Sequence, residues 1–428
     1  MTPTRRLLIL VPLVAIAAWL SAGAYSVQTH EQLIDLTWKP AIEPLLLSRF
    51  PGLTSAQLKE AHAYAYGGCA IQDVGYYPFG SVFFSNLTHY VRAGDFVQAL
   101  LGDAKTPNEL AFAVGALSHY IGDNVGHALA TNLSVPKEFP KLEARYGPVV
   151  TYDESPHAHV RTEFAFDINE IGKRRFAPSS YLSHVGLKVA TSLLGRAFYE
   201  TYGLHPEEVL GVERQKSTIA GYTFAVRRFL PRIAYAENLL HKRGMPADVQ
   251  DEEFTMFEKA LAKSDFENGW EQYRKKAGIG TYMLAGLICI LPKIGPLSSL
   301  SIRGPDEATE QDYVKSVNVA IAGMEKVLGD MEKDGSAGLA RDLPNRDLDT
   351  GNKVQAGAYR LTDETYAGLL ARVTSRRAGP VPAGLKANIE EYYSDPDAPI
   401  VTKQDPKKWA AVQSELSQLR QKEVIAEP

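Results

Sequence analysis

The sequence predicts an all-α fold in which a multi-helix domain is followed by a smaller helical C-terminal extension. Apolar residues recur at helical spacing in many segments, whereas the alternation typical of strands is scarce. Two helices have recognisable starts: Thr54 is placed to cap one, and Thr106-Pro107 opens another. The chain has 428 residues, of which 45% are hydrophobic and 22% charged. This composition is that of an ordinary globular protein with material for a sizeable core.

The N-terminus predicts a secretory signal peptide over residues 1–24. Two arginines precede an uncharged run over residues 7–20, and Ala22 and Ala24 satisfy the small-x-small cleavage rule. Cleavage after Ala24 would leave Tyr25 as the mature N-terminus. The alternative is an uncleaved signal anchor, and export to the periplasm or the extracellular space is expected in either case.

The main domain is predicted over residues 25–276. Its helices are expected at 31–50, 55–67, 107–130, 157–175, 180–201 and 206–242. Long aromatic-rich loops are expected at 68–90 and 131–156, covering one end of the domain.

An apolar segment, residues 277–304, separates this domain from the C-terminal region. Its uncharged part, Ala277–Pro292, is shorter than the roughly 20 residues that span a membrane. We therefore expect a buried helix, with docking at a membrane surface as the alternative. The C-terminal region, 305–428, is predicted to form helices near 309–333, 361–374, 383–393 and 405–424.

Charge and cysteine content narrow the function classes. The net charge of −4 gives no basic surface for double-stranded nucleic acid. The two cysteines, Cys69 and Cys289, provide no disulfide framework. The run Asn345–Gly351 resembles a calcium loop, but its glycine is one position late and the distal Glu is missing, which favours a plain turn.

A stripe of potential metal ligands carries the functional hypothesis. His119, Asp123 and His127 stand four residues apart and fall on one helical face. His119 and His127 are about 12 Å apart along the helix axis, too far for one ion. We therefore expect Asp123 to bridge two ions, with the two histidines serving different ones.

The remaining candidate ligands complete the shells of these ions. Asp73 and His89 are assigned to the first ion, while His159 and Glu163, again four residues apart, are assigned to the second. His30 lies five residues after the predicted mature terminus, so the α-amine of Tyr25 can join it at a third ion. His157 is the alternative to His159, and the spacing to Glu163 favours His159.

These motifs, in this order, resemble the zinc-dependent phospholipase C family, which is related to single-strand-specific zinc nucleases. The part around His159 is also similar to the catalytic domain of glycosylphosphatidylinositol-specific phospholipase D. The resemblance covers mainly residues 25–167 and implies a trinuclear Zn²⁺ site. Its ligands would be Tyr25, His30, Asp73, His89, His119, Asp123, His127, His159 and Glu163. Tyr25 stands where the family usually has Trp.

The expected activity is that of a secreted zinc-dependent phosphodiesterase. Zinc-activated water would attack the phosphorus of a phospholipid in line, with Asp73 as the expected base as well as a ligand. Two alternatives remain: a nuclease or other phosphodiesterase with the same metals, and a non-catalytic membrane-associated protein stabilised by zinc.

Other polar and aromatic residues are open to two interpretations. Asp153 and Glu154 are expected to be solvated loop acids, or else hydrogen-bond acceptors for ligand imidazoles. An aromatic group between Asp73 and His89 is expected to line a pocket or to pack in the core; it comprises Tyr76, Tyr77, Phe79, Phe83 and Phe84.

Overall fold

The structure, a computed structural model, is almost entirely helical in the residues it describes. These are residues 27–77, 80–211, 214–241, 246–274, 278–290, 305–334, 343–375 and 379–425. The described strands, Val381–Pro382 and Val424–Ile425, form one parallel pair. The all-α fold class is thereby confirmed. The predicted signal peptide and Tyr25 lie outside the described residues.

The helices follow one another through short connections. The first group is α1 Val27–Thr37, a π-helical turn Trp38–Ile42, α2 Glu43–Arg49, α3 Ser55–Gly68, a 3-10 turn Gln72–Tyr76, α4 Val82–Tyr90, α5 Ala93–Gly102, α6 Pro107–Gly126, a π-helical turn His127–Thr131, α7 Asn132–Glu138, α8 Pro140–Tyr146 and α9 Pro156–Gly172. The second group is α10 Ser179–Val185, α11 Thr191–Tyr202, α12 Pro206–Leu210, α13 Arg214–Phe224, a π-helical turn Ala225–Phe229, α14 Leu230–His241, α15 Glu252–Asn268, a 3-10 turn Trp270–Tyr273 and α16 Ile279–Ile290. The third group is α17 Glu307–Asp334, α18 Arg360–Val373, α19 Ala383–Tyr392, a 3-10 turn Val401–Gln404 and α20 Pro406–Gln421.

Helix α6 lies at the centre of the molecule. It begins at the predicted cap, where the Thr106 side chain accepts a hydrogen bond from the backbone N–H of Glu109 and Pro107 occupies the first turn. Nearly all of its residues are buried, because α1, α3, α5 and α17 surround it. A Cβ at Gly115 would lie 2.2 Å from the carbonyl oxygen of Ala65, so the close contact between α6 and α3 requires glycine there.

One hydrophobic core joins the N-terminal helices to α17. Tyr313, Val317 and Met324 of α17 are buried in the same cluster as residues of α1, α3 and α6. Residues predicted as part of the C-terminal extension therefore pack directly against the helix that carries the ligand stripe.

Several predicted elements are wrong in detail. The expected loops at 68–90 and 131–156 contain α4, α7 and α8. These helices have seven to nine residues, so each shows too few turns for a clear periodicity, and tertiary packing stabilises them instead. The predicted helix at 180–201 is divided after α10 at Gly186, whose φ of +97° cannot continue a helix.

The prediction of a buried helix in the apolar segment is also wrong for its described part. In α16, Ile279 is 81% exposed, Tyr282 59% and Met283 71%. Ala285 is buried, because this side of the helix packs on α14, in a small cluster that also contains Phe164 and Ile168 of α9. No described helix is long and apolar enough to cross a membrane.

Candidate metal centre

Three clusters of histidine and carboxylate side chains meet beside α6. The first cluster is Asp73, His89 and His119, the second is His127, His159 and Glu163, and the third is His30, His119 and Asp123. All of these residues are buried, between 0% and 2% exposed. The structure thus brings together all the described residues that the sequence nominated as ligands.

The first cluster has the spacing of a tetrahedral zinc shell. Two ligands that are each about 2.1 Å from a tetrahedral ion lie about 3.4 Å from each other. His89 Nε2 is 3.3 Å from Asp73 Oδ1 and 3.4 Å from Asp123 Oδ2. His119 Nε2 is 3.0 Å from Asp123 Oδ2, 3.4 Å from His89 Nε2 and 4.0 Å from Asp73 Oδ1. The three residues of the first cluster therefore supply ligand atoms at spacings close to those around one tetrahedral ion, and Asp123 Oδ2 lies next to the two histidines of this cluster.

The third cluster depends on the other oxygen of Asp123. His30 Nε2, from α1, is 3.3 Å from Asp123 Oδ1, while Asp123 Oδ2 faces the first cluster. The imidazole of His30 stacks on that of His119, with ring centroids 4.2 Å apart. Since His119 Nε2 already faces the first cluster, His30 and Asp123 are the described ligands left for a third ion. The proposed partner, Tyr25, lies outside the described residues.

The second cluster lies at the C-terminal end of α6. His127 begins the π-helical turn that follows α6, whereas His159 and Glu163 lie one turn apart on α9. Glu163 Oε1 is 3.1 Å from His127 Nε2 and 2.9 Å from His159 Nε2. Three protein ligands leave the fourth position of a tetrahedral ion open, as catalytic zinc sites do.

Backbone carbonyls fix the orientation of three ligand imidazoles. The Nδ1 atom of His89 is 2.7 Å from the Ser85 carbonyl oxygen, that of His119 is 2.9 Å from the Cys69 carbonyl oxygen, and that of His127 is 2.8 Å from the Leu348 carbonyl oxygen. A carbonyl only accepts, so each Nδ1 carries the proton and each Nε2 is directed at its cluster. The sequence gives no signal for such partners, because every residue has a carbonyl.

Burial and neighbouring charges shift the pKa values of several residues in the metal-free clusters. Burial would lower the pKa of His89, but Asp123 and Asp73 raise it well above its ordinary value. Burial would raise the pKa of Asp123, but His119 and His127 hold it well below its usual range. The pKa of His30 is lowered, chiefly by burial. Protons on some imidazoles thus balance buried carboxylates, a role that a bound cation would take over.

Buried oxygen atoms support the fit of a metal ion to this set. Neither carboxylate oxygen of Asp73 or Asp123, nor Glu163 Oε2, has a hydrogen-bond partner among the described residues. Burying carboxylate oxygens without a partner is costly unless a cation binds them. Imidazole nitrogen and carboxylate oxygen are the donors that zinc takes, so the residues present fit zinc.

The choice of His159 over His157 agrees with the structure, since His159 is buried and His157 is exposed. Asp153 pairs with Arg360, and Glu154 accepts hydrogen bonds from Thr151. In the described part of the chain, neither accepts a hydrogen bond from a candidate ligand imidazole. Glu154 is exposed, as a solvated loop acid would be, whereas the side chain of Asp153 is 16% exposed within its ion pair.

The aromatic residues between Asp73 and His89 divide between core and site. Tyr77 and Phe84 are buried in the main core, while Phe83 packs under the guanidinium of Arg372; Phe79 is outside the described residues. Tyr76 is half-buried, with its ring centroid 5.8 Å from that of His89. Tyr152, not nominated from the sequence, is similarly half-buried against His159, at 5.5 Å. These two tyrosines border the clusters.

Comparison with known proteins agrees with this geometry. A family model described as zinc dependent phospholipase C matches residues 29–211. The matched range contains all eight described candidate ligands, from His30 to Glu163. No curated protein and no solved structure matches the chain.

Proposed function

We propose that the protein is an exported zinc-dependent phosphodiesterase that hydrolyses a phospholipid, because residues 29–211 match the family model described as zinc dependent phospholipase C. The observation that carries the proposal is the meeting of three ligand clusters beside one helix. A structural zinc needs one closed shell of four ligands. The second cluster, with three protein ligands, instead leaves a position for water or substrate.

Charge favours an anionic substrate at this site. Three divalent ions among Asp73, Asp123 and Glu163 give six positive charges against three negative ones, a local excess of about +3. The chain as a whole carries −4, so attraction of a phosphodiester would be confined to the metal centre. This distribution suits a small anionic group rather than a long polyanion such as duplex DNA.

The side chains have separate roles in the proposed hydrolysis. When bound, zinc supplies Lewis acidity and lowers the pKa of water to about 7. The three carbonyl-bound imidazoles hold their Nε2 atoms in place, so little reorganisation is needed during the reaction. We assign Asp73 as proton acceptor in addition to ligand, because its Oδ2 has no hydrogen-bond partner among the described residues.

A lipid surface is the proposed source of the substrate. The outward side of α16 exposes Ile279, Tyr282 and Met283. Its other side packs on α14, which in turn packs on α9, the helix that carries His159 and Glu163. An apolar face of this kind can enter the boundary between head groups and acyl chains. The alternative substrate is a single-stranded nucleic acid, for which Tyr76 and Tyr152 offer rings beside the clusters.

The test combines zinc analysis with hydrolysis of phosphatidylcholine micelles and of single-stranded DNA. We expect the wild type to hydrolyse the lipid and the His119→Ala variant to be at least about 100-fold slower, since even outer partners of zinc ligands are worth 10–100-fold. His184→Ala is the control, because His184 is exposed and its ring contacts Lys59 instead.

Each outcome of this test has a distinct meaning. Fewer than two zinc ions per chain would refute the metal centre. Full zinc with hydrolysis of DNA alone would make the protein a nuclease, and full zinc with neither activity would refute the phosphodiesterase. N-terminal sequencing of the exported protein tests the separate proposal that Tyr25 is the mature terminus.

A further inference from the structure

A turn from the C-terminal region reaches into the metal centre. The turn, Asn345–Gly351, is the run that resembles a calcium loop in sequence, and it lies outside the family match at 29–211. Asp347 shapes it: its Oδ1 accepts hydrogen bonds from the backbone N–H groups of Asp349 and Thr350, and its Oδ2 accepts one from Thr362. Its polar groups are thus used within the protein, as in a plain turn.

Leu348, within this turn, contacts ligands of two different clusters through its backbone. Its N–H donates to the carbonyl oxygen of His89, at 3.1 Å. Its carbonyl oxygen accepts the hydrogen bond from His127 Nδ1, at 2.8 Å. One peptide segment therefore connects the backbone of a first-cluster ligand to the imidazole of a second-cluster ligand.

Asp349 anchors the turn at this position. It is 3% exposed, and its Oδ2 accepts hydrogen bonds from Tyr90 at 2.8 Å and from Tyr359 at 2.6 Å. Its carbonyl oxygen accepts another from Asn132, at 2.7 Å. Tyr90 directly follows His89, and Asn132 directly follows the π-helical turn that begins at His127. The anchoring groups thus flank the same two ligands.

The end of the turn is fitted against α6. Gly351 has a φ of +71°, and a Cβ there would lie 2.5 Å from the carbonyl oxygen of Asn124, the residue after Asp123. Upstream, the Tyr120 hydroxyl donates to the carbonyl oxygen of Pro344, at 2.6 Å. The turn is therefore held along the stretch of α6 that carries the ligands.

We infer that the turn Asn345–Gly351 is a positioning element of the metal centre, with Asp349 as its anchor and the Leu348 carbonyl as its contact to His127. This inference rests on the proposed zinc site. Without Asp349, the turn is free to shift, His127 loses the acceptor that fixes its Nδ1–H, and the second ion binds more weakly. The C-terminal region is then needed for metal binding and not only for the stability of the fold.

The test compares two buried aspartates that both accept hydrogen bonds from tyrosine. Asp349 accepts a hydrogen bond from the Tyr359 hydroxyl. Asp363, which is 1% exposed, accepts hydrogen bonds from the Tyr392 hydroxyl and from the backbone N–H of Val401. In the described structure, these donors of Asp363 do not contact a candidate metal ligand. We expect Asp349→Ala to weaken the binding of one zinc ion by about 10–100-fold and to alter the visible spectrum of one cobalt ion in cobalt-substituted protein. Asp363→Ala should leave both readouts unchanged even where its melting temperature falls.

Milder variants cover the case in which Asp349→Ala does not fold. Tyr359→Phe removes one of the two hydroxyl donors and should weaken the same zinc ion by a smaller factor, while Tyr392→Phe should not. Asp349→Asn, which keeps an acceptor for the tyrosines, should bind zinc within a few-fold of wild type. The inference would be overturned if Asp349→Ala bound zinc as tightly as the wild type. If only Tyr359→Phe folds, wild-type zinc affinity in that variant would overturn it. Equal losses of zinc affinity in the Asp363→Ala or Tyr392→Phe controls would also overturn it. A wild type without zinc would instead refute the proposed function.

Discussion

The carboxylate of Asp123 faces two clusters with its two oxygens, so its removal should affect two ions. Its Oδ2 lies 3.0 Å from His119 Nε2 and 3.4 Å from His89 Nε2, and its Oδ1 lies 3.3 Å from His30 Nε2. The substitution Asp123→Asn keeps the shape of the side chain and removes its charge. Any change in zinc content then reports on coordination rather than on packing.

The magnitude follows from the ligand count at each cluster. Asp123 lies next to both histidines of the first cluster and is one of the two described residues that remain for the third. We expect the third ion to be lost and the first to bind at least about 100-fold more weakly, more than the loss of an outer partner costs. With little free zinc, the content should fall from three ions per chain to one. Removing an acid from a buried charged pair also costs about 3 kcal/mol of unfolding free energy in the metal-free protein.

Glu163→Gln is the matched control, because Glu163 is also buried and, among the described residues, its Oε1 lies beside His127 and His159 of a single cluster. It should lose one ion and keep two. Zinc per chain is measured by plasma mass spectrometry after dialysis against a weak chelator, with circular dichroism confirming that both variants fold. Equal zinc losses in the two variants would refute the bridging position of Asp123.

Three further predictions concern pH, folding and lipid binding. Burial would lower the pKa of His127, but Asp123 and Glu163 raise it to about 10 in the metal-free protein. The contribution of protonated His127 to stability is therefore complete below about pH 6.5 and is lost as the pH rises through 10. We expect the melting temperature of chelator-treated protein to fall from pH 7 to 10, and a rise in melting temperature would contradict this. Thr106→Ala removes the cap of α6 and should cost about 1 kcal/mol in urea unfolding without changing zinc content; an unchanged midpoint would contradict the cap. Met283→Asp places a charge on the exposed face of α16 and should weaken binding to phosphatidylcholine vesicles. Hydrolysis of a short-chain soluble substrate should be unchanged. Undiminished vesicle binding would exclude this face as the membrane-contacting surface.

The residues of the three clusters were largely predictable because their signal is local. Four-residue steps along α6 and α9 place His119 and Asp123, and likewise His159 and Glu163, on one helical face. The expectation that His119 and His127 serve different ions agrees with their separate clusters. The pairing of Asp123 with His30 depends on where α1 packs against α6. The contact between Asp123 and His30 is therefore visible only in the structure.

The parts that the sequence did not predict depend on tertiary packing. Helix α4 has the composition of a loop or core strand, yet Phe84 stacks on Phe198 and the helix becomes buried. The apolar run of α16 suggested burial, because hydrophobicity alone does not distinguish an internal helix from an exposed apolar face. The turn at Leu348 is about 220 residues from His127, and no periodicity connects positions so far apart.

Anomalous diffraction at the zinc absorption edge, from crystals of the mature protein, tests the central claim most directly. We expect three peaks: one among Asp73, His89 and His119, one among His127, His159 and Glu163, and one between His30 and Asp123. Occupied zinc at other positions, with no peak inside these clusters, would contradict it.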